Sequence, residues 1–158
     1  MSTPSLERIR AALAAAAMPG ESSQTGPGGR PFAVGWATVE LDRAASELAS
    51  ELGLPRTSFV PTEDSEILGA HCRVADAALP DGLSLAILEP ATEGRIAATL
   101  ARLGEGPAAV WVPVEDDIVA GASAARRGPF GPERLVLVGP IFGPHRLLVV
   151  TGPGTIRP

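Results

Sequence analysis

The sequence predicts an α+β fold: paired βαβββ modules forming one cup-shaped mixed sheet, preceded by an N-terminal helical arm. Three observations predict it. Segments 32–42 (FAVGWATVELD) and 108–117 (AAVWVPVEDD) each read as a strand running into a helix. Each also contains Trp-x-x-Val-Glu, at Trp36 to Glu40 and at Trp111 to Glu115. Further strand patterns follow both segments, and a helical pattern joins the two halves. A chain of 158 residues, 45% of them hydrophobic, suits one domain with a single core.

Residues 3–18 read as a helix, with Thr3 as N-cap and Pro4 at the first helical position. Leu6, Ile9 and Leu13 fall on one face. Glu7, Arg8 and Arg10 interrupt the apolar run that an export signal needs. The stretch 19–31 (PGESSQTGPGGRP) has the composition of a linker, so 1–31 forms an arm and 32–158 the domain. Within the domain the expected parts are a first module at 32–90, a connecting helix at 91–106 and a shortened second module at 107–158.

In the first module, strand 32–39 precedes helix 41–52, whose apolar stripe is Leu41, Ala44, Ala45, Leu48 and Leu52. Gly53 and Pro55 end that helix. Strands are expected at 57–60 and 68–75 around the polar turn 62–66, and at 83–88 after the turn 80–82. Helix 92–103 should turn Ile96, Leu100 and Leu103 inward. In the second module, strand 108–114 leads to a helix at 116–127. Asp116 and Asp117 would sit at its positive end, Arg126 and Arg127 at its negative end. Strands at 135–138 and 146–150 leave this half one strand short, with 128–133 as a loop in its place.

Composition narrows the chemistry. A net charge of −5 and a pI near 5.0 give no basic footprint for nucleic acid, and no apolar run is long enough for a membrane span. The one cysteine, Cys72, cannot form an internal disulfide, so a cytoplasmic protein is expected. All basic residues are arginine and there is no tyrosine, which excludes Schiff-base lysine and tyrosine acid chemistry. The glycine strings GPGG (26–29), GEG (104–106) and GPIFG (139–143) lack the context of phosphate loops or dinucleotide fingerprints.

The order βαβββ twice, with GWATVELDRA at 35–44, LEP at 88–90 and IAATLARLGEG at 96–106, resembles the vicinal oxygen chelate superfamily. That superfamily includes glyoxalase I, extradiol dioxygenases, bleomycin-resistance proteins and methylmalonyl-CoA epimerases. The resemblance spans about residues 32–151 and is nearest to the epimerases. It implies four metal ligands projecting into the cup, and these positions fall at Ala33, Ala86, Ala109 and Val149. None of them, nor any sequence neighbour, offers a nitrogen, oxygen or thiolate lone pair. No metal or other cofactor is therefore expected.

Alternation along the strands also turns Gly35, Ala37, Ser84, Leu88, Trp111, Leu147 and Thr151 inward. Small residues leave room and Trp111 supplies a flat wall. The cup so described suits a small apolar or aromatic ligand oriented by Ser84 or Thr151. Equally, Trp111 fills a collapsed cup as core.

On strand 68–75, Ala70, Cys72 and Val74 are expected to face the helices. That leaves His71 and Arg73 for solvent or for the cup, where they would hold an anion. His145 is expected exposed in a turn, Cys72 as a buried structural thiol, and Glu89 as structural. Glu63, Asp64 and Glu66 form an acidic turn near the cup mouth.

Three functions fit. The first is a metal-free binding protein with no assigned catalytic residue. The second is an epimerase-type isomerase or lyase, with Arg73 or His71 holding an oxyanion and Glu66 or Glu63 as base. The third is a structural or interaction module with a collapsed cup. A homodimer is expected, because the shortened second sheet leaves an edge near 135–138 and the arm is too narrow in its apolar stripe to stand alone.

Overall fold

In the computed structural model, residues 3–16, 30–55, 58–79, 82–115, 121–137 and 143–150 are described. The elements are α1 (Pro4–Ala16), β1 (Ala33–Ala37), α2 (Leu41–Leu52), β2 (Phe59–Pro61), β3 (Ala70–Ala75), β4 (Ser84–Pro90), α3 (Arg95–Leu103), β5 (Gly106–Val114), β6 (Glu133–Leu135) and β7 (His145–Val150). Strand ends differ from the sequence expectation by a residue or two, as alternation alone does not fix an end. The last two residues of the expected helix (17–18), most of the linker (19–29), Thr57, the turn at 80–81, Val138, most of the GPIFG string and Thr151 lie outside the described residues.

Local chemistry accounts for the helices. The Thr3 hydroxyl accepts the Leu6 N–H at 3.2 Å, the cap that its position predicts. At α2 the capping group comes from elsewhere in the chain: the Glu89 carboxylate on β4 accepts the Leu41 N–H at 2.9 Å. Gly53 closes α2 in the left-handed conformation (φ 72°), which glycine adopts without strain. At α3 the Leu68 carbonyl accepts the Ile96 N–H at 3.1 Å.

The seven strands form one mixed sheet in the order β2-β3-β4-β1-β5-β7-β6. Its centre is the antiparallel pair β1 and β5. Outward from that centre the halves repeat. The next strand is parallel, β4 beside β1 and β7 beside β5, and the one after it antiparallel, β3 and β6. The repeat extends one step further. Beyond β6, Ala122 bridges Val136 and Arg126 bridges Glu133, so 121–126 lies where β2 lies in the first half.

That segment corrects two expectations. Residues 121–127 are not helical; 116–120 of the predicted helix lie outside the described residues. Gly121 at φ 78° is out of the helical range, and Ser123 uses its hydroxyl to accept the Leu135 N–H at 2.9 Å. The missing strand is likewise supplied by 121–126 and not replaced by a loop at 128–133.

The convex face carries Val34, Trp36, Leu85, Ile87 and Val110 in one cluster with the apolar stripe of α2 and with Ile9 and Ala16 of α1. α1 packs over β5 and beside α2. It thereby gives the second half the helical cover that 121–127 does not provide. Ile9 is 1% exposed, the Ser5 hydroxyl and N–H both donate to Glu51 at 2.8 Å, and Arg8 lies 5.2 Å from the centre of the Trp36 ring. α3 lies on the other face, against β4, β1 and β5, with Ile96 buried and Leu100 partly so. Leu103, expected inward, is 66% exposed at its end. No described helix is long and apolar enough to cross a membrane.

Candidate functional site

The concave face is where the sequence placed a cup. Ala33, Ala37, Ala86, Leu88, Ala109, Trp111, Leu147 and Val149 all belong to one buried cluster on that face. Register explains the grouping, because Ala33 pairs with Ser84 and Trp111, Gly35 with Ala86 and Ala109, and Trp111 with Leu147. Ser84, paired to Ala33, is half-buried at the start of β4.

The cup is filled. Trp111 is 0% exposed, and its ring lies against Gly35: a Cβ there would stand 2.9 Å from two indole carbons and 2.7 Å from Leu88 Cδ1. Phe130 meets the indole edge-on at 5.0 Å between ring centres and meets Phe32 at 5.3 Å. Small residues at 33, 35, 86 and 109 thus leave a slot on this face of the sheet, and the Trp111 ring fills it against Gly35.

The indole also has a polar tether. Trp111 Nε1 donates to Glu133 Oε1 at 2.8 Å, and the Ser65 hydroxyl donates to Glu133 Oε2 at 2.6 Å. Ser65 in turn accepts the Leu68 N–H at 3.1 Å. Glu133 is fully buried, and burial raises its carboxyl to about 7 although both hydrogen bonds favour the charged form. Any side chain at Gly128 would overlap that carboxylate. Ser65 belongs to the first half and Glu133 to the second, so the tether closes the mouth between them.

Outside this closure, Thr62, Glu63, Asp64, Glu66 and Arg127 line an open groove of about 420 Å³. Arg127 pairs with Glu66 at 3.1 Å and Glu63 at 3.6 Å, and the Glu66 N–H donates to the Arg127 carbonyl. The acidic turn thus lines this open groove, with Glu63 and Glu66 paired to Arg127.

The expected placement of β3 is reversed. Cys72 and Val74 pair with Leu88 and Ala86, which puts them on the cup face; His71 and Arg73 lie on the other. Arg73 contacts Asp42 on α2 at 2.6 Å, and His71 Nδ1 is 3.1 Å from Asp64. Neither enters the cup. Cys72 is buried, as expected of a structural thiol. Burial is the main cause that pushes it up to about 12, assisted by the nearby Glu133 and Asp64.

His145 departs from expectation too. It begins β7 opposite Ala109, half-buried, with Nε2 3.4 Å from the Thr99 hydroxyl of α3. Burial first, then Arg95 and Arg102, holds its imidazole below the usual histidine range. Glu89 caps α2 and is structural, as read.

Sequence reasoning missed Glu133, Ser65 and Phe130. One signal was available: Glu133 and Leu135 alternate on a strand, which puts the carboxylate on the same face as an apolar residue. Among the described residues, no group of three or more His, Cys, Asp or Glu could hold a metal ion.

Comparison with protein-family models finds no match, and comparison with curated proteins finds none. Solved structures do match. Methylmalonyl-CoA epimerase from Mycobacterium tuberculosis aligns with a TM-score of 0.60 at 22% identity, over 88% of this chain and 96% of that one. A variant of the Streptomyces coelicolor methylmalonyl-CoA epimerase, in complex with 2-nitronate-propionyl-CoA, aligns at 0.58 and 21%, over 78% and 98%. A hypothetical protein from Bacillus halodurans C-125 aligns at 0.60 and 15%, over 81% and 98%. At such identities the likeness is one of fold.

Proposed function

On the vicinal oxygen chelate fold that this chain shares with methylmalonyl-CoA epimerases, we propose a metal-independent, non-catalytic binding protein. Its cup takes a small apolar or aromatic molecule in place of its own Trp111. One observation carries the reading. A flat, fully buried indole lies against Gly35 and shares one buried cluster with Ala33, Ala86 and Ala109, residues that contribute almost no bulk of their own. Such a slot is shaped for a ring, and replacing one ring by another keeps its packing intact. Val149 and Ser84 complete the lining on β7 and β4.

An epimerase-type reaction without a metal needs an oxyanion donor and a base at one point of the cup. The donors named for that role, His71 and Arg73, lie on the opposite face, and Glu63 and Glu66 are engaged with Arg127 outside it. The structural reading differs from the binding one in a single respect: Trp111 never leaves.

Fluorescence separates the two, since Trp36→Phe leaves Trp111 as the only tryptophan. Titration with flat aromatic compounds should give a saturable change in its emission, undiminished by a chelator. No response across a chemically varied set would establish the filled cup as permanent core. Enzyme-dependent exchange of the acidic C–H of methylmalonyl-CoA with solvent deuterium would overturn the non-catalytic assignment.

A further inference from the structure

Glu133 is unusual among the acidic residues described: it is 0% exposed, and each of its two oxygens accepts one hydrogen bond from a buried donor. An ionised carboxylate has about four acceptor sites, so two donors leave it barely satisfied. Among the described residues no cation pairs with it. Arg126 and Arg127 turn toward Glu66 and Glu63, Arg134 donates to the Ser123 carbonyl, and from β3 the group nearest in kind is the Cys72 thiol. The Ser65 bond comes from a turn of the first half and does not depend on which ring occupies the slot. The Trp111 bond does.

We infer that Glu133 is the specificity-determining residue of the cup, admitting flat aromatic molecules that carry an N–H or O–H donor and rejecting those of the same shape without one. This rests on the binding reading above. A ring that displaces the indole without a donor leaves Glu133 Oε1 buried and unpartnered, and a lost partner in a buried site is what discriminates most strongly between isosteric ligands. The chosen class is therefore indole-like or phenol-like, with the donor at the ring edge that faces β6.

Indole and benzothiophene test this, because they share a bicyclic outline and differ in the N–H. Binding to the full chain is followed by the Trp111 indole N–H resonance, assigned with Trp36→Phe, and by the shift in unfolding temperature. Indole should bind about tenfold more tightly, the worth of one hydrogen bond. Glu133→Gln, which keeps a carbonyl acceptor, should preserve the gap, and Glu133→Leu should close it. Equal affinity of the two probes for the unaltered chain overturns the inference without need of a variant that folds. If neither probe binds the unaltered chain but Trp111→Ala binds both with the tenfold gap, the displacement reading fails and the role of Glu133 stands. If Trp111→Ala binds neither probe, or both equally, Glu133 selects nothing.

Discussion

Gly35 and Glu133 mark the two limits of the indole slot, one by absence of bulk and one by a charge where none was expected. At Gly35 the ring needs the space that any Cβ would take. At Glu133 the ring needs an acceptor, and the fold supplies a carboxyl that burial raises from 4.5 to about 7. A carboxyl raised in this way holds its proton more tightly in the folded chain than in the unfolded one. Its contribution to stability is then full below about pH 4.5 and declines as pH rises through about 7. Glu105 works in the opposite sense. Burial pushes it up, but hydrogen bonds from the Val39 N–H, Arg43 and Thr38 outweigh this and hold it below 4.5, so its contribution is lost in acid. Comparing Glu133→Gln with the unaltered chain isolates the first effect. From below pH 4.5 to above pH 7, the variant should gain roughly 3 kcal/mol relative to the parent, read from urea midpoints at both ends. Parallel pH profiles would mean that Glu133 is solvated in solution. None of this was legible in the sequence, where a glutamate beside a turn reads as surface.

Strand alternation placed the cup-face residues of β1, β4, β5 and β7 on one side, most clearly on β1, where Ala33, Gly35 and Ala37 face away from Val34 and Trp36. It failed on β3, whose Ala70, Cys72 and Val74 are small enough for either layer, while neighbouring His71 and Arg73 are polar on the face expected to be buried. The helix pattern failed at 121–127, where alanine-rich composition imitates a helix that Gly121 interrupts. The N-terminal helix was legible as a helix, through Thr3 and the stripe of Leu6, Ile9 and Leu13, but its docking place was not. Nothing in the sequence states that β5 lacks a covering helix of its own among the described residues. α1 fills that place, and Ile9 is the side chain most deeply inserted. Ile9→Ala should therefore cost roughly 2–4 kcal/mol, the range for truncating a buried isoleucine. The loss should be the same at low and high protein concentration. A midpoint that shifts with concentration would show the helix packed on another copy of the chain.

At the scale of the molecule, the two halves are joined by the β1 and β5 pair at the centre, by the Ser65–Glu133–Trp111 tether, and by the pairs of Glu63 and Glu66 with Arg126 and Arg127. A duplicated sheet of this kind has two outer edges, and both grounds for expecting a homodimer concerned what would cover them and the arm. The β6 edge is already covered: Ser123 N–H to Leu135 carbonyl, Arg126 and Glu133 to each other, and Leu137 N–H to Gly121 carbonyl are all 2.7–2.9 Å. The β2 edge is only three residues long and ends in Pro61, which has no N–H to offer a neighbouring strand. Of the arm, α1 is docked on β5 and α2 of the same chain. Among the described residues, the large apolar side chains that stay exposed, Val39, Val60, Leu103 and Leu137, lie on four different parts of the chain, with Val60 and Leu137 at opposite ends of the sheet. Single exposed residues of this kind do not make an obligate interface, which needs a contiguous apolar area. Among the described residues, neither the β6 edge nor α1 then supplies the ground on which a homodimer was read, and we propose a monomer in its place. Sedimentation at micromolar concentration should return the 16.1 kDa species. A stable two-fold dimer instead would require a surface outside the described residues, and Ile9→Ala would show whether α1 takes part by making its mass concentration-dependent.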